Sequence, residues 1–194
     1  MVERAVFEVL PGTTRLERYS WDGSKLGAEA TGQGSLQESF FAGFNADGAL
    51  VGFAVPGAGA GFADTIKLIY GLDPSAERVL GMKVLESRET PGLGDKIYKD
   101  AKFVAEFLDL TLEPVIELIK GHGEKTNQVD AITGATISSR AVVKILNQTN
   151  AIWRPRIVAL GAQPLGSEAG APVTLPPDLQ RGGPVPGGLS GEKP

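Results

Sequence analysis

Thr65-Ile66-Lys67-Leu68-Ile69-Tyr70-Gly71-Leu72, then Asp73-Pro74-Ser75, then Arg78-Val79-Leu80-Gly81-Met82-Lys83-Val84-Leu85: two runs rich in β-branched residues enclose a turn signal and predict two neighbouring strands. Immediately upstream, Glu38-Ser39-Phe40-Phe41-Ala42-Gly43-Phe44 and Ala49-Leu50-Val51-Gly52-Phe53-Ala54-Val55 flank Asn45-Ala46-Asp47-Gly48, the pattern of a hairpin around a glycine-containing turn. Together they predict a largely antiparallel sheet of four strands or more. Between the two pairs, Gly57-Ala58-Gly59-Ala60-Gly61 precedes Phe62 without the strand, GxGxxG and helix context of a dinucleotide fold, so it reads as a flexible loop.

Helical spacing surrounds this sheet. Val2, Ala5, Val6, Val9 and Leu10 mark an amphipathic helix at the start of the chain. Phe103, Phe107 and Leu108 share a face over Lys99 to Leu108, and Pro114 suits the first turn of a helix running to Lys120. A stronger helix follows Gly134, with Ser138 and Ser139 in its polar start and Ile137, Val142, Val143, Ile145 and Leu146 along it; it is predicted to end by Trp153-Arg154-Pro155. The fold class is therefore α+β, a single domain over residues 1–160. Residues 161–194 hold 7 of the 13 prolines and 8 of the 26 glycines with few large apolar residues, which predicts an extended or disordered tail.

Composition narrows the chemistry. With 42% hydrophobic and 22% charged residues over 194 positions, the chain is expected to fold in water around one core. A net charge of −4 leaves no basic surplus for a phosphate backbone, which argues against nucleic acid as the partner. Zero cysteines exclude disulfides, thiolate-bound zinc and cysteine-bound iron–sulfur clusters, and the single His122, between two glycines, reads as a loop residue, so no metal site is expected. Redox chemistry would need an organic cofactor. No run approaches the roughly 18 apolar residues of a membrane span, and Met1-Val2-Glu3-Arg4 lacks a signal-peptide pattern. The chain nonetheless begins inside a helical pattern, so a preceding segment is expected in the longer protein.

Asp130-Ala131-Ile132-Thr133-Gly134-Ala135-Thr136 places a glycine and two hydroxyls directly before the apolar helix. A helix start points free N–H groups and the positive end of its dipole outward, which favours a phosphate beside Thr136. Taken alone, the spacing favours the plainer reading, in which Thr133 or Thr136 is an ordinary N-cap with no ligand. Upstream, Glu89-Thr90-Pro91-Gly92-Leu93-Gly94 reads either as a type II turn after a strand or as a loop whose glycines and Leu93 accommodate a flat ring. Trp21 and Trp153 read as packing residues; Lys67, Lys96 and Arg140 could balance a phosphate or simply be solvated surface. No Walker motif, catalytic triad or paired-carboxylate spacing stands out.

These two segments, in this order, resemble the flavinylation motif Asp-x-x-Ser/Thr-Gly-Ala-Thr and the Glu-Thr-Pro-Gly-Leu-Gly loop of the FMN-binding domain family, with every fixed position matched. The family includes RnfG of the Rnf electron-transport complex and NqrC of sodium-translocating NADH:quinone reductase. The resemblance covers roughly residues 1–155, and its opening part, Arg4 to Gly12, is similar to a membrane-proximal helix that follows an N-terminal anchor. It implies FMN joined through a phosphoester to Thr136, with Asp130, Thr133, Gly134, Ala135, Ser139, Glu89, Thr90, Pro91, Gly92, Leu93 and Gly94 as further cofactor-binding residues, those from Thr90 to Gly94 lining the flavin. It implies no catalytic residue of a stand-alone enzyme. The implied role is an electron-transfer subunit coupling ferredoxin and nicotinamide carriers to ion transport. Its implied partners are other subunits of an Rnf-type complex and a flavin transferase that uses FAD and a divalent metal ion. It further implies a place at the inner membrane, on the periplasmic or outer side, through an anchor preceding this chain. The compact length and the run from Lys67 to Leu72 into Asp73 favour the Rnf subunit over the reductase subunit. The alternative of a different class is a non-redox module that uses the same helix start to bind a phosphate-bearing ligand reversibly.

Overall fold

The computed structural model describes residues 2–21, 26–28, 35, 38–121 and 123–161; His122 and the proline- and glycine-rich residues 162–194 lie outside the described residues. The chain order is α1 (Val2–Val9), β1 (Arg15–Trp21), β2 (Leu26–Ala28), β3 (Ser39–Phe44), β4 (Leu50–Ala60), β5 (Thr65–Leu72), β6 (Arg78–Glu86), α2 (Lys96–Lys99), α3 (Ala101–Ala105), β7 (Leu110–Thr111), β8 (Glu117–Ile119), β9 (Gln128–Asp130) and α4 (Thr136–Gly161). Among the described residues, seven strands form one sheet in the order β2-β1-β3-β4-β5-β6-β7, with every neighbouring pair antiparallel, while β8 and β9 pair in parallel beside it.

Both predicted strand pairs are present, and the α+β class holds. The Asp73 turn is closed by its own side chain, whose Oδ1 accepts the N–H groups of Glu77 and Arg78 at 2.8 Å each. Each face of the sheet buries a separate apolar layer. On one face α4 lays Val142, Val143, Ile145, Leu146, Trp153, Ile157 and Leu160 against Phe40, Phe53, Val55, Leu68 and Tyr70. On the other, α1 buries Ala5, Val6 and Val9 with Leu10 against Phe41, Ala54 and Ile69. The amphipathic spacing of the first ten residues therefore has a partner surface to match.

Four expectations from the sequence give way. Gly57 to Ala60 is not a flexible loop but the far half of β4, paired residue by residue with β5 from Gly57↔Leu68 to Ala60↔Thr65. Its glycines mark where α4 presses on the sheet: a Cβ on Gly57 would lie 2.7 Å from Thr149 Oγ1, and one on Gly59 would lie 2.7 Å from Ile145 Cγ1. Pro56 is tolerated there because pairing with β3 extends only to Ala54, leaving β4 a neighbour on one side.

The helix expected over Lys99 to Leu108 is broken at Asp100. That residue is extended, and its carboxylate caps α3 by accepting the N–H of Lys102 at 2.9 Å and that of Phe103. Phe103 and Phe107 share the buried face, edge to face at 5.2 Å between ring centroids, but Leu108 is exposed. No helix starts at Pro114. Residues 117–119 are instead drawn into parallel pairing with 128–130, and Ile116 N–H bonds the Asn147 side chain at 3.1 Å. Finally, α4 runs through Pro155 to Gly161. An interior proline forfeits a hydrogen bond and costs about 3 kcal/mol, but burial of Trp153, Arg156, Ile157 and Leu160 beyond or beside it holds the helix on course.

Candidate functional site

Gly134 has φ +82°, a left-handed conformation that closes the loop after β9 and delivers the chain into α4. Ser139 N–H bonds Ala135 O at 2.9 Å, which makes Ala135 the cap position and Thr136 the first helical residue. Alanine offers no side-chain acceptor, and neither Thr133 nor Thr136 makes a side-chain hydrogen bond with any described residue. The ordinary capping role considered for these threonines is thus not taken up. The 26-residue helix presents its first N–H groups with a half-buried threonine hydroxyl among them.

These groups open onto a cavity of about 340 Å³ lined by Phe62, Thr90, Leu93, Gly94, Gly134, Ala135, Thr136, Ile137 and Ser138. Three large apolar side chains, Phe62, Leu93 and Ile137, are half or more exposed around it. Water-facing apolar surface beside an uncapped helix start suits a ligand that is anionic at one end and a flat apolar ring at the other. A phosphate-bearing flavin is such a ligand, and the residues present fit it.

Of the residues named from sequence, Thr90, Leu93, Gly94, Gly134, Ala135 and Thr136 meet at this cavity. Pro91 and Gly92 are exposed residues of the same turn; Gly92, at φ +76°, shapes the backbone without lining the cavity. Asp130 and Thr133 face elsewhere, into a neighbouring polar cavity of about 300 Å³ shared with Lys96, Asp100, Lys102, Phe103 and Glu106. Asp130 acts on the loop architecture: its Oδ1 accepts Gly123 N–H at 3.0 Å, and its own N–H bonds the Glu106 carboxylate. Ser139 is fully buried, accepting Ile132 N–H at 3.1 Å and donating to Ala135 O at 2.9 Å, so it buttresses the loop from within. Lys67 is paired with Glu86 at 2.7 Å across β5 and β6, and Lys96 lines the polar cavity.

Glu89 also lies behind the wall rather than on it. Only 5% exposed, its Oε1 accepts the N–H groups of Phe62 and Ala63 at 2.9 Å each, and its Oε2 accepts the Ser138 hydroxyl. Burial opposes ionisation, yet the hydrogen bonds from Ser138 and the backbone of Ala63, Asp64 and Phe62 outweigh it and hold the carboxyl below its ordinary range. A carboxyl depressed in the folded state contributes stability that is fully present above the unfolded value, about 4.3, and is lost as the pH falls through the folded value. Thermal melts of the wild type and Glu89→Gln across acid pH should therefore converge as the pH falls below about 4.3; a constant gap would show that the carboxylate charge contributes nothing.

Phe62, Ile137 and Ser138 line the cavity beyond the residues named from sequence, Ser138 having been read only as part of the polar start of its helix. Phe62 was visible only as the residue after the glycine run, and Ile137 was counted among core positions of its helix; 52% exposed, it belongs to the rim instead.

Comparisons with known proteins bear on this site directly. Residues 61–150, which hold the whole cavity, match the FMN-binding domain family. The G subunit of the ion-translocating oxidoreductase complex of Methanosarcina acetivorans is 33% identical over 145 residues, 75% of this chain and 71% of that protein. The corresponding G subunit of Aliivibrio fischeri is 42% identical over 94 residues, 48% of this chain, and the match spans 43% of its length. Among solved structures, NqrC of Shewanella oneidensis superposes with a TM-score of 0.59 at 21% identity, covering 74% of this chain and 80% of that one. The C subunit of the Na(+)-translocating NADH-quinone reductase of Parabacteroides distasonis also gives 0.59, at 18% identity over 80% and 81% of the two chains. At those identities the likeness is one of fold. With a relative of 33% identity matched over more than two thirds of its length and the site inside the matched domain, the chain belongs to the family of G subunits of ion-translocating oxidoreductase complexes and contains its FMN-binding domain.

Proposed function

We propose that this protein is the electron-transfer subunit of an ion-translocating oxidoreductase complex and carries FMN covalently on Thr136. The observation that supports it most is the Thr136 hydroxyl at the start of α4, without a partner among the described residues and opening onto a cavity rimmed by exposed apolar side chains. Thr136 and the first N–H groups of α4 would hold the phosphate, and Leu93, Phe62 and Ile137 would flank the ring. Bound FMN supplies one- and two-electron redox chemistry; the protein orients it and sets its dielectric surroundings. A covalent link keeps the cofactor on the chain while successive redox partners dock and leave.

Attachment requires a flavin transferase, with the Thr136 hydroxyl displacing AMP from FAD. In its complex the domain is held at the membrane by an anchor preceding residue 1 and faces the periplasmic or outer side. No described helix is long and apolar enough to cross a membrane.

Protein produced with a competent transferase should retain its flavin in the pellet after denaturation and precipitation, and its intact mass should rise by FMN less one water. Flavin released entirely to the supernatant would instead favour the reversible, non-redox phosphate module. A host cytoplasm without the transferase would leave Thr136 as a free hydroxyl.

A further inference from the structure

Three chain segments far apart in sequence line the cavity: the turn carrying Phe62, the loop from Thr90 to Gly94, and the first turn of α4 with Thr136 and Ser138. Their common partner is Glu89, which does not line the cavity. Its two oxygens divide the work, one accepting the backbone of Phe62 and Ala63 and the other accepting the Ser138 hydroxyl.

The glycines nearby are explained by the same carboxylate. A Cβ on Gly94 would sit 2.7 Å from Glu89 Oε2 and 2.8 Å from both Glu89 Cβ and Ser138 Oγ, and a Cβ on Gly61 would overlap Glu89 Oε1. Gly94 thus provides room for Glu89 while its backbone lines the cavity. A carboxylate that leaves no room for a side chain at Gly61 or Gly94, while accepting donors from the Phe62 turn and from Ser138 of α4, has the arrangement of a staple between the loop it begins and those two segments.

We propose that Glu89 is the positioning residue of the flavin site, tying the Phe62 turn, the Thr90–Gly94 loop and the head of α4 into one wall so that Phe62 and Thr136 hold their relative placement before any cofactor arrives. This rests on the FMN reading for its purpose but not for its geometry. Removing the carboxylate takes the acceptor from two part-buried backbone donors and from the buried Ser138 hydroxyl, and the wall loosens at the point where Thr136 is presented for modification.

The test uses the full chain in two preparations. Without transferase, hydrogen exchange followed by mass spectrometry reads the segments 61–64 and 136–140. With transferase, intact mass reads the flavinylated fraction at a fixed time. In Glu89→Ala both segments should exchange faster by roughly tenfold or more, with flavinylation reduced by a similar factor. Glu89→Gln should restore both, since its carbonyl oxygen accepts the Phe62 and Ala63 N–H groups and its amide can donate to Ser138 Oγ. If Glu89→Ala does not fold, Ser138→Ala serves in its place: flavinylation should fall while segment 61–64 stays protected, because only the Oε2 half of the tie is lost. Wild-type exchange and loading in Glu89→Ala, or a Glu89→Gln as impaired as the alanine variant, would overturn the proposal. A wild-type chain that takes up no flavin mass would sink the FMN reading instead, and the exchange measurement then decides the tie alone.

Discussion

Thr136→Ala, produced beside a competent flavin transferase, is expected to show the mass of the bare polypeptide and a colourless pellet after denaturation. The loss should be complete, because the phosphoester has no other oxygen at this position to form on. Folding should survive: Thr136 is only half-buried, its hydroxyl has no partner among the described residues, and alanine is a good helix former at a first-turn position. Substitutions of this kind usually stay within about 0.5 kcal/mol of wild type. An unchanged melting curve with complete loss of covalent flavin would separate chemistry from stability. Thr136→Ser, which keeps the hydroxyl, should restore attachment. Flavin that stays on the alanine variant through denaturation would move the assignment away from Thr136, with Thr133 the next hydroxyl to replace.

Trp153→Ala should be the most destabilising single change in the domain core, by about 3–5 kcal/mol. The indole is fully buried and meets the Phe40 ring edge to face at 5.5 Å, while the Arg156 guanidinium lies 5.2 Å from its ring and 4.5 Å from that of Trp21. Truncation would open a cavity under α4 and leave Arg156, itself 2% exposed, with half of its aromatic cover. For a domain of this size each kcal/mol lowers the midpoint by about 2–4 °C, so a fall of roughly 6–20 °C is expected in a thermal melt. Trp153→Phe should be milder, since the indole N–H finds no acceptor among the described residues and its removal leaves none of them unpaired. A loss below about 1 kcal/mol in the alanine variant would mean that the helix is held chiefly elsewhere. Trp153 lies 17 residues along α4 from Thr136, about 25 Å at roughly 1.5 Å per residue. Flavinylation at a temperature where the variant is folded should therefore be close to wild type.

Much of this protein can be read from its linear order. The two strand pairs, the Asp73 turn and the helix after Gly134 are encoded by features spanning only a few residues: alternation, turn chemistry and a glycine with positive φ. The placement of Thr136 at the head of that helix needed no tertiary information. What misled was also local. Gly57 and Gly59 have poor strand propensity and read as loop, though their lack of a side chain is what lets α4 approach β4. Leu108 and Ile137 have the spacing of buried residues but face solvent, because no described element packs over them.

By itself, then, the sequence determined that a phosphate-favouring helix start with a hydroxyl follows a glycine turn in an antiparallel α+β domain. Only the tertiary structure decided which neighbours share that site. It turned Asp130 and Thr133 toward a separate polar cavity, brought Phe62 to the rim, and placed Glu89 behind the wall as a tie between segments 27 and 49 residues away along the chain. The reason is physical: a turn or a helix start is stabilised by contacts within a few residues. Which donors a buried carboxylate meets depends on how sheet and helices close around it, and that closure is written in the packing of all of them together.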